Sequence, residues 1–351
     1  MKIAITGETG FLGYHLTQYY KYQLGYDVVS LTRDYQRNIH LIKDCDWLIH
    51  CAGVNRSASV GSDNILLATE LVQLLQTYDI KINIAFTSSV QEFIGTEYGV
   101  GKSEASKILL EYCTQTNKKF ISYKLPNLFG PFGKPNYNSV VATFCYNLVN
   151  DNVCQVNNNK VDLCYVYDAI QVMTLDDTDH TYVTTSISIK ELYEQLSQYH
   201  LSYSKGIIPK LNSKFDIQLF NTYRSFANCT HEFARYTDDR GYLIELLKSE
   251  GTQSQIFFST TKPGITRGNH FHFNKVERFC VLKGTANISM RKLGSDEVIS
   301  YIIGEDTNTV VDMPILYTHN ITNIGDTELI CVFWTNEIFD KEYPDTYFIQ
   351  V

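Results

Sequence analysis

Residues 2–13 decide the fold of the N-terminal part of the chain, and they read KIAITGETGFLG. A short strand-like run ends at a glycine-rich turn, and apolar residues at helical spacing follow it. Glycines at this spacing let the backbone approach a pyrophosphate, and the N-terminus of the following helix favours negative charge. The alternative is a tight turn that binds nothing. The residues predicted to bind a dinucleotide here are Gly7, Thr9, Gly10, Phe11, Leu12 and Gly13.

Strand-like and helical patterns alternate along the first 170 or so residues. The strand-like runs are residues 2–6, 28–32, 47–51, 82–87 and 120–124, and helical spacing is found in residues 11–23, 63–78 and 102–113. This alternation predicts a Rossmann-type α/β domain, with a doubly wound parallel sheet covered by helices on both faces. From about residue 236 onward, short strands broken by Gly, Asn and Asp predict an all-β barrel or jelly roll. We therefore expect two domains, residues 1–235 and 236–351, with the boundary between about 225 and 245.

Composition narrows the function classes. Lys and Arg number 30 and Asp and Glu 38, so the net charge is 30 − 38 = −8 and bulk electrostatic binding of nucleic acid is excluded. The nine cysteines form no CxxC pair, which disfavours a disulfide framework or a thiolate zinc site. No apolar run approaches the ~18 residues that a membrane span needs. We expect a cytoplasmic enzyme that binds neither nucleic acid nor membrane.

A phenol and an ammonium lie four positions apart at Tyr98 and Lys102, which places both on one face of a helix. A free phenol has a pKa of about 10. A nearby ammonium and an oxidised nicotinamide would together stabilise the phenolate, so that Tyr98 exchanges a proton near neutral pH. Ser89 ends a strand-like run and can hydrogen-bond to the same substrate oxygen. The predicted catalytic residues are Tyr98, Lys102 and Ser89, and Lys102 is also expected to contact the cofactor.

Arg33 follows the second strand-like run, at the position where an NAD enzyme usually carries an acid on the ribose hydroxyl. A guanidinium there favours the phosphate of NADP, so NADPH is the predicted cofactor. Two alternatives stay open: Asp34 is compatible with NAD, and Arg33 can be a solvated surface residue.

A second constellation lies in the C-terminal part, at His270, His272, Glu277 and His319. Two histidines separated by one residue point to the same side of a strand. Glu277 on the next strand and His319 on a distant one can complete a site of three nitrogens and one carboxylate, which suits Zn²⁺ or another divalent transition metal. The alternative is a set of core or surface histidines without a metal.

The first constellation resembles the extended short-chain dehydrogenase/reductases that act on nucleotide sugars, over roughly residues 1–230. Residues 50–53, which include Cys51, Ala52 and Gly53, are similar to that family's segment beside the adenosine ribose. Residues 124–131, which include Asn127, are similar to its nicotinamide and sugar-nucleotide loop. The resemblance implies that Cys51, Ala52, Gly53 and Asn127 contact the cofactor. Ser89 and Tyr98 are only nine positions apart, which is shorter than usual and implies a trimmed loop over the sugar.

The second constellation, with Gly264 before His270 and Gly284 between Glu277 and His319, is similar to the two cupin motifs. One departure is Leu316, which stands where a glycine is usual, so the turn before His319 is expected to differ. Residues 237–241 and 266–270 resemble cupin-type 4-keto sugar 3-epimerases. In those relatives the histidine that corresponds to His270 is a base, whereas here His270 is assigned to the metal, so the epimerising base stays unidentified.

The two parts together resemble bifunctional enzymes of capsular polysaccharide synthesis over the whole chain. The resemblance implies a homodimer and a UDP-sugar substrate, which is epimerised at C3 by the cupin and reduced at C4 with NADPH. One alternative is a single-step 4-ketoreductase whose cupin serves only for dimerisation and sugar docking. Dehydration of another nucleotide sugar is less favoured, because Glu92 and Glu97 are expected to be isolated loop residues rather than a catalytic acidic pair.

Overall fold

The structure is a computed structural model of the chain, and it describes all residues except 33–34, 178–179, 233–234, 239–240, 245–247, 252–253, 338–339 and 341. For residues 235–238, 241–244, 248 and 255 it describes the backbone alone. Arg33, a predicted cofactor contact, therefore lies outside the described residues, as does Asp34. The chain forms two compact units, Met1–Thr143 with Asn157–Ile189 and Phe144–Val156 with Lys190–Val351. The predicted domain boundary near residue 235 stays a prediction.

The first unit is built on a parallel sheet. Its strands are β1 (Lys2–Thr6), β2 (Asp27–Leu31), β3 (Trp47–His50), β4 (Asn83–Ser89) and β5 (Phe120–Leu125). Their order across the sheet is β2-β1-β3-β4-β5, and the pairs are parallel. Strand β1 pairs with β2 on one side and with β3 on the other, so the strand order reverses there and leaves a crevice at the carboxyl ends.

Helices cover this sheet because its strands are apolar on both faces, as in Ile3, Ala4 and Ile5, which are fully buried. The helices of this unit are α1 (Phe11–Gln18), α2 (Val60–Thr77), α3 (Glu97–Gln115) and α5 (Val166–Val172), whereas α4 (Val140–Val149) begins in this unit and continues into the second. Helix α1 continues as a π-helix over Tyr19–Gln23, and 3₁₀ turns span Tyr35–Arg37, Ile39–Ile42 and Val90–Phe93. A smaller sheet joins β6 (Asn127–Phe129), β7 (Lys160–Tyr165) and β8 (Thr185–Ser188).

The second unit is dominated by two antiparallel sheets that enclose an apolar core. It also holds α6 (Ile189–Tyr203) and α7 (Lys214–Arg224). Its strands are β9 (Ile207–Ile208), β10 (Thr230–Glu232), β11 (Arg235–Asp238), β12 (Gly241–Ile244), β13 (Lys248–Ser249), β14 (Gln255–Thr261), β15 (Thr266–Phe271), β16 (Glu277–Lys283), β17 (Thr285–Lys292), β18 (Val298–Gly304), β19 (Thr309–Met313), β20 (Tyr317–Asn323), β21 (Leu329–Thr335) and β22 (Tyr347–Phe348).

In the described residues, one large sheet of this unit has the order β10-β19-β16-β21-β14 and the other β18-β17-β20-β15-β22. The predicted fold class, a Rossmann-type parallel sheet followed by an all-β domain, is confirmed. Within the part of the chain that the structure describes, no helix has the length and apolar character required to cross a membrane.

A buried ionic cluster in the second unit connects the helices to the sheet. Arg278 Nε lies 2.7 Å from Asp312 Oδ1, and both side chains are 2% exposed. The Tyr203 hydroxyl of α6 donates to Asp312, and Arg224 Nε of α7 donates to the Tyr203 hydroxyl at 3.1 Å. Burial opposes ionisation of Asp312, but the Arg278 guanidinium and its neighbours outweigh it and hold the pKa of the carboxyl far below its usual range.

Candidate functional site

The glycine turn after β1 is shaped by close backbone contacts. Gly7 has φ +70°, and a Cβ on it would lie 2.7 Å from the Ala52 nitrogen. A Cβ on Gly13 would lie 2.1 Å from the Gly7 carbonyl oxygen, which no side chain tolerates. Gly10 is the N-cap of α1, and the first turn of α1 carries no acidic residue. The positive end of the helix therefore faces this turn, which fits the pyrophosphate of a dinucleotide.

The other predicted residues of the turn lie around its glycines. Thr9 is in the turn itself, and Phe11 and Leu12 open α1. The Phe11 ring packs edge-on against His15, with 5.0 Å between ring centres.

The segment after β3 is attached to the same turn. Thr6 Oγ1 lies 2.8 Å from His50 Nδ1 and accepts from the Ala52 backbone N–H at 3.3 Å. Burial, reinforced by Lys102, lowers the pKa of His50 to about 3, so this ring is neutral. Cys51 is also joined to the turn, since its backbone N–H donates to the Thr6 carbonyl at 3.2 Å. Two of the predicted cofactor segments thus meet where the strand order reverses.

Lys102 lies at the centre of the first site, where it is 3% exposed. Its ammonium donates to the Thr87 carbonyl at 3.0 Å and lies 4.7 Å from the centre of the Phe86 ring. A Cβ on Gly53 would lie 2.9 Å from the same Nζ, so the ammonium requires the space that this glycine leaves. Burial lowers the pKa of Lys102 to about 8, although Cys51 and Glu92 partly oppose the shift.

Tyr98 lies in the first turn of α3, one residue after the helix begins at Glu97. Thr96 caps the helix by accepting from the Gly99 backbone N–H at 3.0 Å. The Lys102 ammonium lies 5.9 Å from the centre of the Tyr98 ring. Burial, and to a lesser extent Tyr137, raises the pKa of Tyr98 to about 12. The Lys102 ammonium alone therefore does not produce a phenolate near neutral pH, and Tyr98 is a phenol that can donate a proton.

Ser89 ends β4 and caps the 3₁₀ turn that follows, because its Oγ accepts from the Gln91 backbone N–H at 3.2 Å. The same turn packs tightly on the start of α3: a Cβ on Gly99 would lie 2.1 Å from the Gln91 carbonyl oxygen. This contact explains how a connection of nine positions brings the end of β4 close to the helix that carries Tyr98.

Glu92 corrects the expectation of an isolated loop residue. Its side chain is only 9% exposed, it accepts a hydrogen bond from the Ser88 hydroxyl, and its Oε2 lies 3.8 Å from Lys124 Nζ. The sequence missed this pairing because Ser88 and Lys124 are brought together by the pairing of β4 with β5. Glu97 is not an isolated loop residue either: it begins α3, is exposed, and accepts from the Gly61 backbone N–H at 3.4 Å.

Asn127 lies apart from these contacts. It begins β6 and is exposed, and its side-chain amide donates to the Asp162 carbonyl at 3.4 Å. Among the described residues, no hydrogen bond connects Asn127 to Lys102 or to the glycine turn. Its contact with a cofactor stays a prediction.

The four predicted metal ligands come together in the second unit. One ligand atom from each of His270, His272, Glu277 and His319 lies within 4.8 Å of the others. His270 and His319 face each other across the β15–β20 ladder, whereas Glu277 begins β16 in the opposite sheet. The cluster therefore joins the two sheets.

The donor set fits a divalent transition metal. Burial, together with the neighbouring His319 and His272 rings, lowers the pKa of His270 to about 3, so it is a neutral imidazole, the form that binds metals. His272 Nε2 is a buried nitrogen without a hydrogen-bond partner in the described residues and lies 3.4 Å from Glu277 Oε2. Its other nitrogen, Nδ1, is 2.5 Å from the Asp345 carbonyl oxygen, an orientation typical of metal-bound histidines.

Leu316 marks the turn before His319. It is fully buried and has φ +61°, a left-handed conformation that glycine adopts at little cost. Its N–H donates to the His272 carbonyl at 3.0 Å. The turn thus keeps a glycine-like backbone although it carries a leucine, and this backbone connects the segments of two predicted ligands.

Comparison with known proteins identifies the family. Residues 3–175 match the NAD dependent epimerase/dehydratase family, and residues 236–347 match the polysaccharide biosynthesis C-terminal domain. The chain is 31% identical over 378 residues to UDP-2-acetamido-2,6-beta-L-arabino-hexul-4-ose reductase of Pseudomonas aeruginosa, with 100% of this chain and 99% of that protein covered.

Solved structures agree with this match. The fold is similar to that of the capsular polysaccharide assembling protein CapF from Staphylococcus aureus, with a TM-score of 0.60, 32% identity and 100% coverage of both chains. A CapF structure with the inhibitor 3-isopropenyl-tropolone gives a TM-score of 0.57 and 31% identity, again with 100% coverage of both chains. The resemblance to enzymes of capsular polysaccharide synthesis that the motifs indicate is confirmed. The chain belongs to the family of nucleotide-sugar reductases and epimerases of polysaccharide biosynthesis that includes CapF.

Proposed function

We propose that the chain converts a UDP-2-acetamido-2,6-dideoxy-4-hexulose in two steps. The cupin-type C-terminal domain epimerises C3, and the N-terminal domain then reduces C4 with NADPH to give UDP-2-acetamido-2,6-dideoxy-L-talose. This product is a precursor of N-acetyl-L-fucosamine in capsular polysaccharide biosynthesis. The observation that carries the proposal is the full-length similarity to a hexul-4-ose reductase, joined to a Tyr98–Lys102 pair beside a dinucleotide turn.

The order of the steps follows from the chemistry of the sugar. The proton at C3 is acidic only while C4 is a ketone, because the carbonyl stabilises the negative charge that remains after deprotonation. Epimerisation must therefore come before reduction. Reduction then removes the ketone and prevents the C3 centre from equilibrating again.

In the reductase, the chain's own residues position the ketone and deliver a proton. The glycine turn at Gly7, Gly10 and Gly13 would hold NADPH, which would supply a hydride to C4. Tyr98, protonated at neutral pH because burial raises its pKa to about 12, donates its proton to the C4 oxygen. Ser89 donates a hydrogen bond to the same oxygen. Lys102, fixed by the Thr87 carbonyl at 3.0 Å, lowers the cost of the negative charge that forms on the tyrosine oxygen.

In the epimerase, His270, His272, Glu277 and His319 would hold Zn²⁺ or another divalent transition metal. Such a metal would supply Lewis acidity or would brace the two sheets of the barrel. The epimerising base is not assigned, because His270 belongs to the metal cluster. We also propose that the enzyme is a cytoplasmic homodimer; its nine cysteines, all within the described residues, are free.

The test uses the purified full-length chain, NADPH and a 4-keto-6-deoxy UDP-N-acetylhexosamine in deuterated buffer, with NMR of the product. We expect deuterium at C3, inverted configuration there, and a new alcohol at C4. Tyr98→Phe should abolish NADPH oxidation while deuterium exchange at C3 continues. Loss of both activities in this variant would contradict the division of labour between the domains.

A second candidate is a single-step 4-ketoreductase in which the cupin-type domain only binds or dimerises. The position of His270 favours it, because the histidine that serves as a base in related epimerases is here one of four clustered metal-ligand residues. NADPH consumption with no deuterium at C3 would establish this alternative.

A further inference from the structure

Ser88, Glu92 and Lys124 form a polar cluster at the carboxyl edge of β4 and β5. Ser88 pairs in register with Lys124, so their side chains lie on the same face of the sheet. Phe86 and Ser122, two residues earlier, form the preceding pair on this face.

This face is the one that α3 covers. The ammonium of Lys102 lies over the Phe86 ring, and the Ser106 hydroxyl of α3 donates to Ser122 at 3.4 Å. The cluster therefore shares a face with the helix that carries Tyr98 and Lys102. Ligands of open α/β sheets bind at the carboxyl ends of the strands, which is where the cluster lies.

Lys124 is held from two sides at this edge. Its Nζ lies 3.8 Å from Glu92 Oε2 and 4.6 Å from the centre of the Phe93 ring. The Lys124 side chain is 43% exposed whereas that of Glu92 is 9% exposed, so a buried carboxylate fixes an ammonium that still faces solvent. An ion pair at 3.8 Å whose ammonium is 43% exposed contributes little to stability. The arrangement is therefore better explained by presentation of the ammonium to a ligand than by a contribution to folding.

We propose that Glu92 is a positioning residue that fixes the Lys124 ammonium so that it donates a hydrogen bond to an oxygen substituent of the bound sugar ring. This inference rests on the proposed reductase function. Ser88 completes the arrangement, because its hydroxyl donates a hydrogen bond to Oε1, the other oxygen of the Glu92 carboxylate. The ligand class is a hydroxyl or carbonyl oxygen of the sugar ring.

The charges around Glu92 provide a second readout. Lys124 faces it from β5 and Lys102 from α3, and Cys51 acts on Lys102 from the segment after β3. Loss of the Glu92 charge should shift the alkaline fall in reductase kcat/KM to lower pH, because Glu92 helps to keep Lys102 protonated. A Glu92 carboxylate without electrostatic influence on Lys102 would leave this fall where it is.

The experiment compares Glu92→Gln, Lys124→Met and the double variant in steady-state reduction of the keto sugar. We expect the KM for the nucleotide sugar to rise about tenfold in each single variant with kcat changed less than about twofold, as when a binding contact is lost. The double variant should resemble the single ones, and Lys124→Arg should restore most of the affinity. Glu104→Gln is the matched control, since Glu104 pairs with Lys107 on the exposed side of α3 at 2.6 Å.

The inference is overturned if Glu92→Gln behaves like the Glu104→Gln control, or if the effects of Glu92→Gln and Lys124→Met multiply in the double variant. A fall in kcat and thermal stability with KM unchanged would show that Glu92 only supports the fold. If the wild-type chain does not oxidise NADPH with the keto sugar, the proposed function fails and the Glu92 role fails with it. If the wild type turns over normally and Glu92→Gln has the same KM and kcat, the Glu92 role is refuted while the proposed function stands.

Discussion

Lys102 Nζ donates to the carbonyl oxygen of Thr87 at 3.0 Å, so a buried ammonium on α3 is bound to the backbone of β4. The bond fixes the charge beside Tyr98, the proton donor of the proposed reduction. Because the electrostatic support of Tyr98 requires the ammonium form, the protonation state of Lys102 should control the reductase.

Reductase activity should fall at alkaline pH. Burial lowers the pKa of Lys102 to about 8, so raising the pH through this value neutralises the ammonium, whereas the Tyr98 phenol stays protonated because its pKa is about 12. We expect kcat/KM, which reports the free enzyme, to be level below about pH 8 and to decline above it. Lys107→Met, a change at an exposed position of α3, should keep the same profile. A level profile up to about pH 10 would contradict the role of Lys102.

Gly53→Ala should damage the reductase without unfolding it. The new Cβ would lie 2.9 Å from Lys102 Nζ and 3.1 Å from Asn64 Oδ1, so the ammonium must move away from Thr87. We expect kcat/KM for reduction to fall by about tenfold or more, since small displacements of a catalytic group have effects of this size. In the control Gly304→Ala, the Cβ would meet only Thr285 Oγ1 at 3.8 Å, and activity should persist.

Metal content should depend on His319. We expect the purified chain to carry about one zinc-class ion, measured by elemental mass spectrometry, because four ligand residues suffice for a closed site. His319→Ala should lose most of this metal and lower Tm, and a chelator should lower the Tm of the wild type to a similar value. His40→Ala, at an exposed histidine, should keep the metal. Equal metal content in both variants would argue against the site.

At position 316 the glycine variant should be more stable than the alanine variant, which is the reverse of the usual order. At ordinary positions glycine is less stable than alanine by about 0.5–1 kcal/mol. At Leu316, with φ +61°, both substitutions lose the buried side chain but only glycine relieves the left-handed strain. We expect Leu316→Gly to be more stable than Leu316→Ala by about 1 kcal/mol in urea denaturation. Buried Leu329 of β21, which lacks a positive φ, should show the ordinary order.

Asp312→Ala should strongly destabilise the second unit. The substitution leaves the buried guanidinium of Arg278 without the carboxylate that lies 2.7 Å away. Removing one partner of a buried ion pair costs about 3–5 kcal/mol, which urea denaturation would detect. Asp326→Ala, at an exposed position, should change the free energy of unfolding by less than about 0.5 kcal/mol. Similar losses of unfolding free energy in both variants would show that the buried cluster makes no specific contribution to stability.

The sequence by itself determined the features that depend on local patterns. The alternation of strand-like and helical runs predicted the parallel sheet, and glycine spacing after β1 predicted the turn at Gly7. Four-residue spacing placed Tyr98 and Lys102 on one helix, and the alternation of a strand placed His270 beside His272. Each of these inferences needs only the period of a helix or strand, or the lack of a Cβ, which neighbouring residues reveal.

Tertiary structure alone decided the environments of these residues. The pairing of β4 with β5 placed Glu92 against Lys124, although its sequence context suggested an isolated loop acid. Burial set the protonation of Lys102 and Tyr98, and packing of α6 against the sheet brought Tyr203 to Asp312. Desolvation and contacts between distant segments depend on the whole packed chain, so no local pattern contains them.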